Sequence, residues 1–241
     1  MATMDTLVNA VNATGKAPLH PFFPLNAALP GYAPNTMNGR DVVVTFSIGT
    51  AAIFAATLLL IQIARPTLSR GAVLATMWFA LCGCIHLFFE GYYVVNFVNI
   101  SSKLDLFAQL WKEYSLSDSR YLTQNAFMVC MEAVTAFVWG PMSFACAWCI
   151  VKEHPMRHPL QIIISLGQIY GDVLYLGICT FEEIIHEIVY CRPERFYYYM
   201  YYLLCNGFWI VIPGFLLVQS VKATAGAFAK VQAAEKQKKA L

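Results

Sequence analysis

His86 and Glu90 stand four residues apart in the apolar run CGCIHLFFEGYYVV, residues 82 to 95. On a helix this spacing puts an imidazole and a carboxylate on one face, about 6 Å apart along the axis, within reach of a shared proton. A charged side chain at membrane depth costs about 2.5 to 3.5 kcal/mol on insertion scales, so such groups turn to a cavity, a partner or a substrate. The plainer alternative is a self-satisfied pair that locks two helices together. Glu132, in VCMEAVTAFVWG, is a second acid with apolar neighbours on both sides, and Thr135 lies about one turn on. Two carboxyl groups and an imidazole at similar depth on different helices make a proton-handling cluster, in which a neutral acid beside an ionised one serves as donor and acceptor.

Three further residues could share the site. Asp172, in QIIISLGQIYGDVLYL, has Gln168, Tyr170 and Tyr175 nearby to satisfy it. It reads first as glue between helices and second as a group of the substrate pocket. Asn206 and Trp209, in LLCNGFWIVIPG, are three apart and share a face. A lone membrane Trp is usually a packing or interfacial residue. An indole facing the same cavity as the acids would instead stabilise a cation through its ring quadrupole, by about 2 kcal/mol or more when desolvated. Pro213 and Gly214 follow and predict a kink that opens room beside the helix. The single intramembrane His and the scattered acids match no metal-site spacing such as HExxH, and no GxSxG, phosphate loop or dinucleotide fingerprint is present, so the expected chemistry needs protons alone, without cofactor or metal.

The elements that must position these groups follow from composition. Of the 241 residues, 59% are hydrophobic and 12% charged, far from the roughly 25% charged residues of a soluble domain. The expected fold class is therefore all-α, an integral membrane protein in a lipid bilayer. Five apolar runs are long enough to cross about 30 Å of hydrocarbon: 42 to 64, 72 to 98, 124 to 151, 160 to 180 and 196 to 221. Between the second and third, Leu104, Phe107, Leu110, Trp111 and Tyr114 recur at helical spacing in a segment too polar to span. That pattern predicts an amphipathic helix at the interface. Residues 1 to 41 form an N-terminal segment, where five prolines in APLHPFFPLNAALPGYAPN predict an extended chain across the lumenal surface. No basic stretch precedes a long apolar one there, so no cleaved leader is expected. Residues 42 to 221 form the membrane domain, and 222 to 241 a basic tail.

Arg65, Arg70, Lys152, His154 and Arg157 gather in short loops, and Lys222, Lys230, Lys236, Lys238 and Lys239 follow the last span. By the positive-inside bias both sets are cytosolic and the N-terminus is lumenal. KKAL has its lysines three and four from the end, which reads as a retrieval signal of the endoplasmic reticulum; a polybasic tail beside anionic lipid explains the charge alone. The sequons at Asn12 and Asn99 fall on the lumenal side, Asn99 too near the membrane to be modified. Most of the eight cysteines lie in apolar runs as small hydrophobes. A net charge of +2 with no basic stripe excludes a nucleic-acid partner. Length and charge leave a homodimer open.

The blocks CIHLFFEGYYV (84 to 94), LWKEYSLSDSRYL (110 to 122), VCMEAVTAFVWGPMS (129 to 143), QIYGDVLYL (168 to 176), NGFWIVIPG (206 to 214) and LHPFFP (19 to 24) resemble, in order and spacing, the emopamil-binding protein family. The resemblance runs from about 18 to 220, with LWKEY followed by DSRY its most specific part; CTFEEIIHEIVYCRPERF (179 to 196) is the least similar and reads as a lumenal cap, its His186 a surface group. It implies a five-helix enzyme of the endoplasmic reticulum that moves a sterol double bond from C8-C9 to C7-C8. The family's catalytic set falls on His86, Glu90, Glu132, Asn206 and Trp209, with Tyr121 and Thr135 around the pocket. A Δ8-sterol is then the substrate, and cationic amphiphilic amines the inhibitors. Asn206 is expected to orient a carboxyl group. Two other classes compete: a sterol or amine receptor with this fold and no turnover, against which the full acid set speaks, and a transporter, which predicts repeats and helix breaks that the sequence lacks.

Overall fold

A computed structural model describes residues 20 to 239. Among these there is no strand, and five helices are long and apolar enough to span a membrane. In chain order the helices are α1 (Gly39–Ala64), α2 (Arg70–Asn96), the short α3 (Leu106–Tyr114), α4 (Ala126–Val151), α5 (Arg157–Ile185) and α6 (Tyr197–Lys239). The all-α expectation with five spans holds. Asn38, Ser69, Asp105 and Asn125 each accept a first-turn N–H of α1, α2, α3 and α4, removing one of the donors that a helix start leaves unpaired. Pro213 sits inside α6 without ending it, and the helix continues to Lys239, so a single helix crosses the boundary expected at 222.

Three of the spans contain a π-helical turn: Ile85–Glu90 in α2, Thr135–Trp139 in α4 and Tyr197–Cys205 in α6. In α4 the cause is local. Pro141 has no N–H for the carbonyl of Phe137, and the turn widens just before it, with Gly140 N–H reaching back five residues to Thr135. The turns of α2 and α4 abut. A Cβ on Gly140 would stand 3.0 Å from the backbone nitrogen of Leu87. Gly140→Val should therefore force the two turns apart and cost about 1–3 kcal/mol of stability, read as a lower melting temperature with a matching loss of activity.

Two clusters fill the interior. One gathers Phe22, Tyr93, Ile100, Trp111, Tyr121, Met128, Tyr175 and Tyr202; the other joins Ala72, Trp78, Phe79, Cys82, Cys146, Ile150, Ile164 and Leu216. The acids lie between them. Helix α1 stands largely apart, with Val42 and Ile61 its buried residues. Arg65 pairs with Glu153, which brings the turn after α1 and the turn after α4 to one side.

The polar connection between α2 and α4 carries the short amphipathic helix expected there. Helix α3 is there, but Gln109 and Lys112 are buried within it, while Leu104 and Phe107 face outward. The Lys112 ammonium donates to the carbonyls of Ala33 and Lys103, both at 2.7 Å, and Gln109 Oε1 accepts from Thr36 and Met37. Burial holds the Lys112 amine below its ordinary range. The extended N-terminal segment is thus stitched to α3 by polar groups and buries Phe22 and Phe23. Asn12 lies outside the described residues.

Beside it, Asp118 and Arg120 form an ion pair with both side chains fully buried. Arg120 also covers the rings of Tyr175 at 4.8 Å and Tyr190 at 5.4 Å. The chain after α5 returns here, with Ser119 N–H donating to Tyr190 and Arg192 N–H to Leu116. His186 is half exposed beside Glu182.

Candidate active site

Helix α2 brings His86 and Glu90 to opposite ends of its π-helical turn. His86 Nδ1 lies 2.8 Å from Glu90 Oε2, and the two side chains are 3% and 12% exposed. The far side of the imidazole is fixed from α5, where Gln168 Nε2 stands 3.0 Å from His86 Nε2. The tautomer that satisfies both is Nδ1–H donating to Glu90 and Nε2 accepting from the Gln168 amide. Gln168 also donates to Cys82 Sγ at 3.4 Å.

Glu132 enters from α4 and is buried. Its carboxyl faces that of Glu90 within interaction range, across the abutting π turns. On its other side Tyr121 O–H donates to Glu132 Oε1 at 2.8 Å. Burial holds the Tyr121 phenol well above its ordinary range, so it remains a donor. Tyr121 is itself wedged between Trp111 at 4.6 Å and Tyr93 at 5.2 Å.

Trp209 comes from α6. Its ring lies 4.9 Å from the His86 imidazole and 5.0 Å from Trp78. An indole thus packs on the imidazole of the His86–Glu90 pair. Thr135 opens the α4 turn one step beyond Glu132, and its hydroxyl is committed to the Met131 carbonyl at 2.9 Å.

Two expectations change. Among the described residues Asn206 hydrogen-bonds neither acid; its amide donates to Tyr202 carbonyl at 2.6 Å and reaches the Tyr114 hydroxyl at 3.5 Å. The hydrogen bond to the Glu132 carboxyl group comes from Tyr121 instead. Asp172 is buried, yet its Oδ2 has no hydrogen-bond partner among the described residues, and Tyr170 points outward. It is not the satisfied helix glue that its neighbours suggested. Gln168, named in the sequence only as company for Asp172, is the imidazole's partner; the signal was its place four residues before Asp172 on the same face.

Chemically, the arrangement offers two carboxyl groups, an imidazole and an indole face between two apolar clusters. Held close together and away from water, two carboxyl groups are stable with one proton between them, which supplies an acid and a base in one site. Nothing in it is a nucleophile poised for acyl or phosphoryl transfer.

Residues 106–220 match the EXPERA (EXPanded EBP superfamily) domain. The chain is 36% identical over 215 residues to the 3-beta-hydroxysteroid-Delta(8),Delta(7)-isomerase of Cavia porcellus, covering 89% of this chain and 93% of that protein. It is 37% identical over 211 residues to the isomerase of the same name in Mus musculus, covering 87% and 90%. The Rattus norvegicus protein of that name is 36% identical over 210 residues, covering 87% and 90%.

Proposed function

The chain belongs to the emopamil-binding protein family, and from that premise we propose that it is a sterol Δ8-Δ7 isomerase whose acid and base are the facing carboxyl groups of Glu132 and Glu90. The observation that carries this reading is the meeting of Glu90, Glu132, His86 and Trp209 in one buried place. The reaction needs those parts. Protonation of the C8=C9 alkene at C9 makes a tertiary cation at C8, and loss of a proton from C7 closes the C7=C8 bond.

Glu132 acts as the acid, steadied by the Tyr121 hydroxyl on one oxygen with the other free to carry the proton. Glu90, held by His86 Nδ1–H, is the carboxylate that stabilises the cation and then takes the C7 proton. Trp209 covers the cation from its π face. Asn206 supports the aromatic wall through Tyr114, and Thr135 and Asp172 line the pocket toward the sterol skeleton. The acid set separates this reading from that of a receptor, which needs no paired carboxyl groups.

The test is turnover in deuterated water. Purified protein in detergent with a Δ8-sterol should yield a Δ7-sterol with one new deuterium at C9, read by mass spectrometry. Heat protection by an amine without any Δ7 product would sink the isomerase in favour of the receptor.

The same site accounts for binding of cationic amphiphilic amines, since an ammonium between apolar flanks imitates the C8 cation. Trp209→Leu is expected to weaken such an amine by about thirty-fold, the equivalent of about 2 kcal/mol of cation–π attraction, and a neutral sterol by much less. Titrations of both ligands that fall equally would remove Trp209 from charge stabilisation.

The reading extends to location: the endoplasmic reticulum membrane, with the N-terminal segment lumenal. Two things support that orientation: the cationic loops around Arg65 and Lys152, drawn together by the Arg65–Glu153 pair, and the five exposed lysines on the far end of α6.

A further inference from the structure

One face of α5 runs past the His86–Glu90 pair, which uses only its Gln168. Gln161, Ser165, Gln168 and Asp172 recur at steps of four, three and four residues, forming a single stripe. All four are buried. Each also carries a polar atom with no hydrogen-bond partner among the described residues: Gln161 Oε1, Ser165 Oγ, Gln168 Oε1 and Asp172 Oδ2. Polar side chains that glue membrane helices pair across the interface. Four unpartnered atoms in line have one common remedy, which is water.

The spacing fits that remedy. A rise of 1.5 Å per residue sets successive groups about 4.5 to 6 Å apart, the length of two hydrogen bonds with one water between them. The stripe also has two defined ends. Inward, Gln168 meets His86. Outward, Gln161 Nε2 reaches Gln219 Oε1 at 3.1 Å, and one turn earlier His158 Nδ1 lies 3.0 Å from Ser220 Oγ. His158 is half-buried and Gln219 exposed, so this end opens at the polar edge of the membrane domain.

We infer that the Gln161, Ser165 and Gln168 face of α5 is a hydrated proton route joining His86 to the membrane edge at His158, so that solvent resets the site between turnovers. The inference rests on the isomerase reading. Each turnover moves one proton from Glu132 to C9 and one from C7 to the Glu90–His86 pair, while the C7–H electrons become the new double bond. The substrate gains and loses no net proton. The enzyme, however, ends with the proton on the wrong carboxyl group. A direct return from Glu90 to Glu132 would deliver one substrate's C7 hydrogen to the next substrate's C9. The route replaces that hydrogen first. Gln168 offers its N–H to the neutral imidazole; when that amide rotates away, a water takes its place on Nε2 and accepts the imidazolium proton, since a carboxamide relays none itself. Gln161 and Ser165 touch no substrate and act through His86, as positioning residues for the relaying waters.

The experiment uses a Δ8-sterol carrying deuterium at both C7 positions, turned over in ordinary water by the full-length protein, with the deuterium at C9 of the Δ7 product as readout. Wild type should place solvent hydrogen at C9. Gln161→Leu and Ser165→Val should each raise C9 deuterium severalfold with a smaller change in kcat. Ser165→Thr, which matches Val in shape and keeps the hydroxyl, should behave as wild type. Variants that turn over with wild-type C9 hydrogen overturn the route, as does a wild type that already returns its label to C9. If one variant does not fold, the other still decides. Absence of any Δ7 product from the wild type overturns the isomerase reading itself, a result distinct from an unchanged label.

Discussion

Glu132→Gln should lower turnover by roughly 10²–10⁴-fold, the usual contribution of a positioned general acid, with little change in melting temperature. The amide keeps the shape of the carboxyl group, and its oxygen still accepts from Tyr121 O–H, which is 2.8 Å from Glu132 Oε1. What it lacks is the transferable proton. It also removes one of two facing carboxyl groups, so packing is not where the loss should appear. The measurement is kcat on a Δ8-sterol beside a thermal melt of the same preparation. A variant with wild-type rate takes Glu132 out of the mechanism. One that melts much earlier shows that the buried acid was holding α4 in place instead. Comparison with Tyr121→Phe refines the result: loss of the hydroxyl leaves the acid present but unsteadied, and the rate should fall by less.

The spans were legible because the bilayer fixes their length and composition, and the chain obeys both. His86 and Glu90 were legible for a related reason. An i, i+4 pair of ionisable groups within an apolar run must face each other or something functional, and they bond at 2.8 Å. The opposition of Glu132 to Glu90 depends on how α4 packs on α2, where Glu90 closes a π-helical turn. A widened turn shifts by one residue which side chains face inward, and no periodicity computed for a regular helix reports it. Only Pro141 left a trace, through the N–H it lacks.

Asn206 shows the opposite failure. Its residue type suited a carboxyl partner and its face was right, yet Tyr202 carbonyl lies 2.6 Å from its amide and claims it. Hydrogen-bond choice within a helix is decided by the nearest carbonyl, which sequence spacing does not rank. The stretch from 100 to 125 was legible as a helix, but its buried polar groups were not. Lys112 and the Asp118–Arg120 pair are buried, Lys112 against Ala33 and Arg120 against Tyr190. The N-terminal segment and the return loop after α5 cover them, and local composition carries no sign of a cover supplied from 80 residues before or 70 after.

Asp118→Ala is the substitution from which the largest loss of stability is expected. Asp118 oxygens accept from Arg120 Nε at 3.0 Å, from Nη2 at 2.6 Å and from the Arg120 backbone N–H at 3.0 Å. Burial alone would push the guanidinium down; the charge and hydrogen bonds of Asp118 outweigh it and raise Arg120 above its ordinary value. Removing the carboxylate leaves that cation buried with only the Tyr175 carbonyl, at 3.3 Å, and two aromatic rings for company. Its Nη1 has no hydrogen-bond partner among the described residues even with the pair intact. Breaking one side of a buried ion pair typically costs about 3–5 kcal/mol, a large part of the stability of most domains. Activity should fall with it, because Tyr121 follows Arg120 directly and its hold on Glu132 depends on the same turn. Replacing both partners separates the causes. Asp118→Asn with Arg120→Met removes both charges and nearly keeps the volumes, so it should melt closer to wild type than Asp118→Ala. A double variant no better than the single one would mean that the turn needs the hydrogen bonds of the pair more than its neutrality.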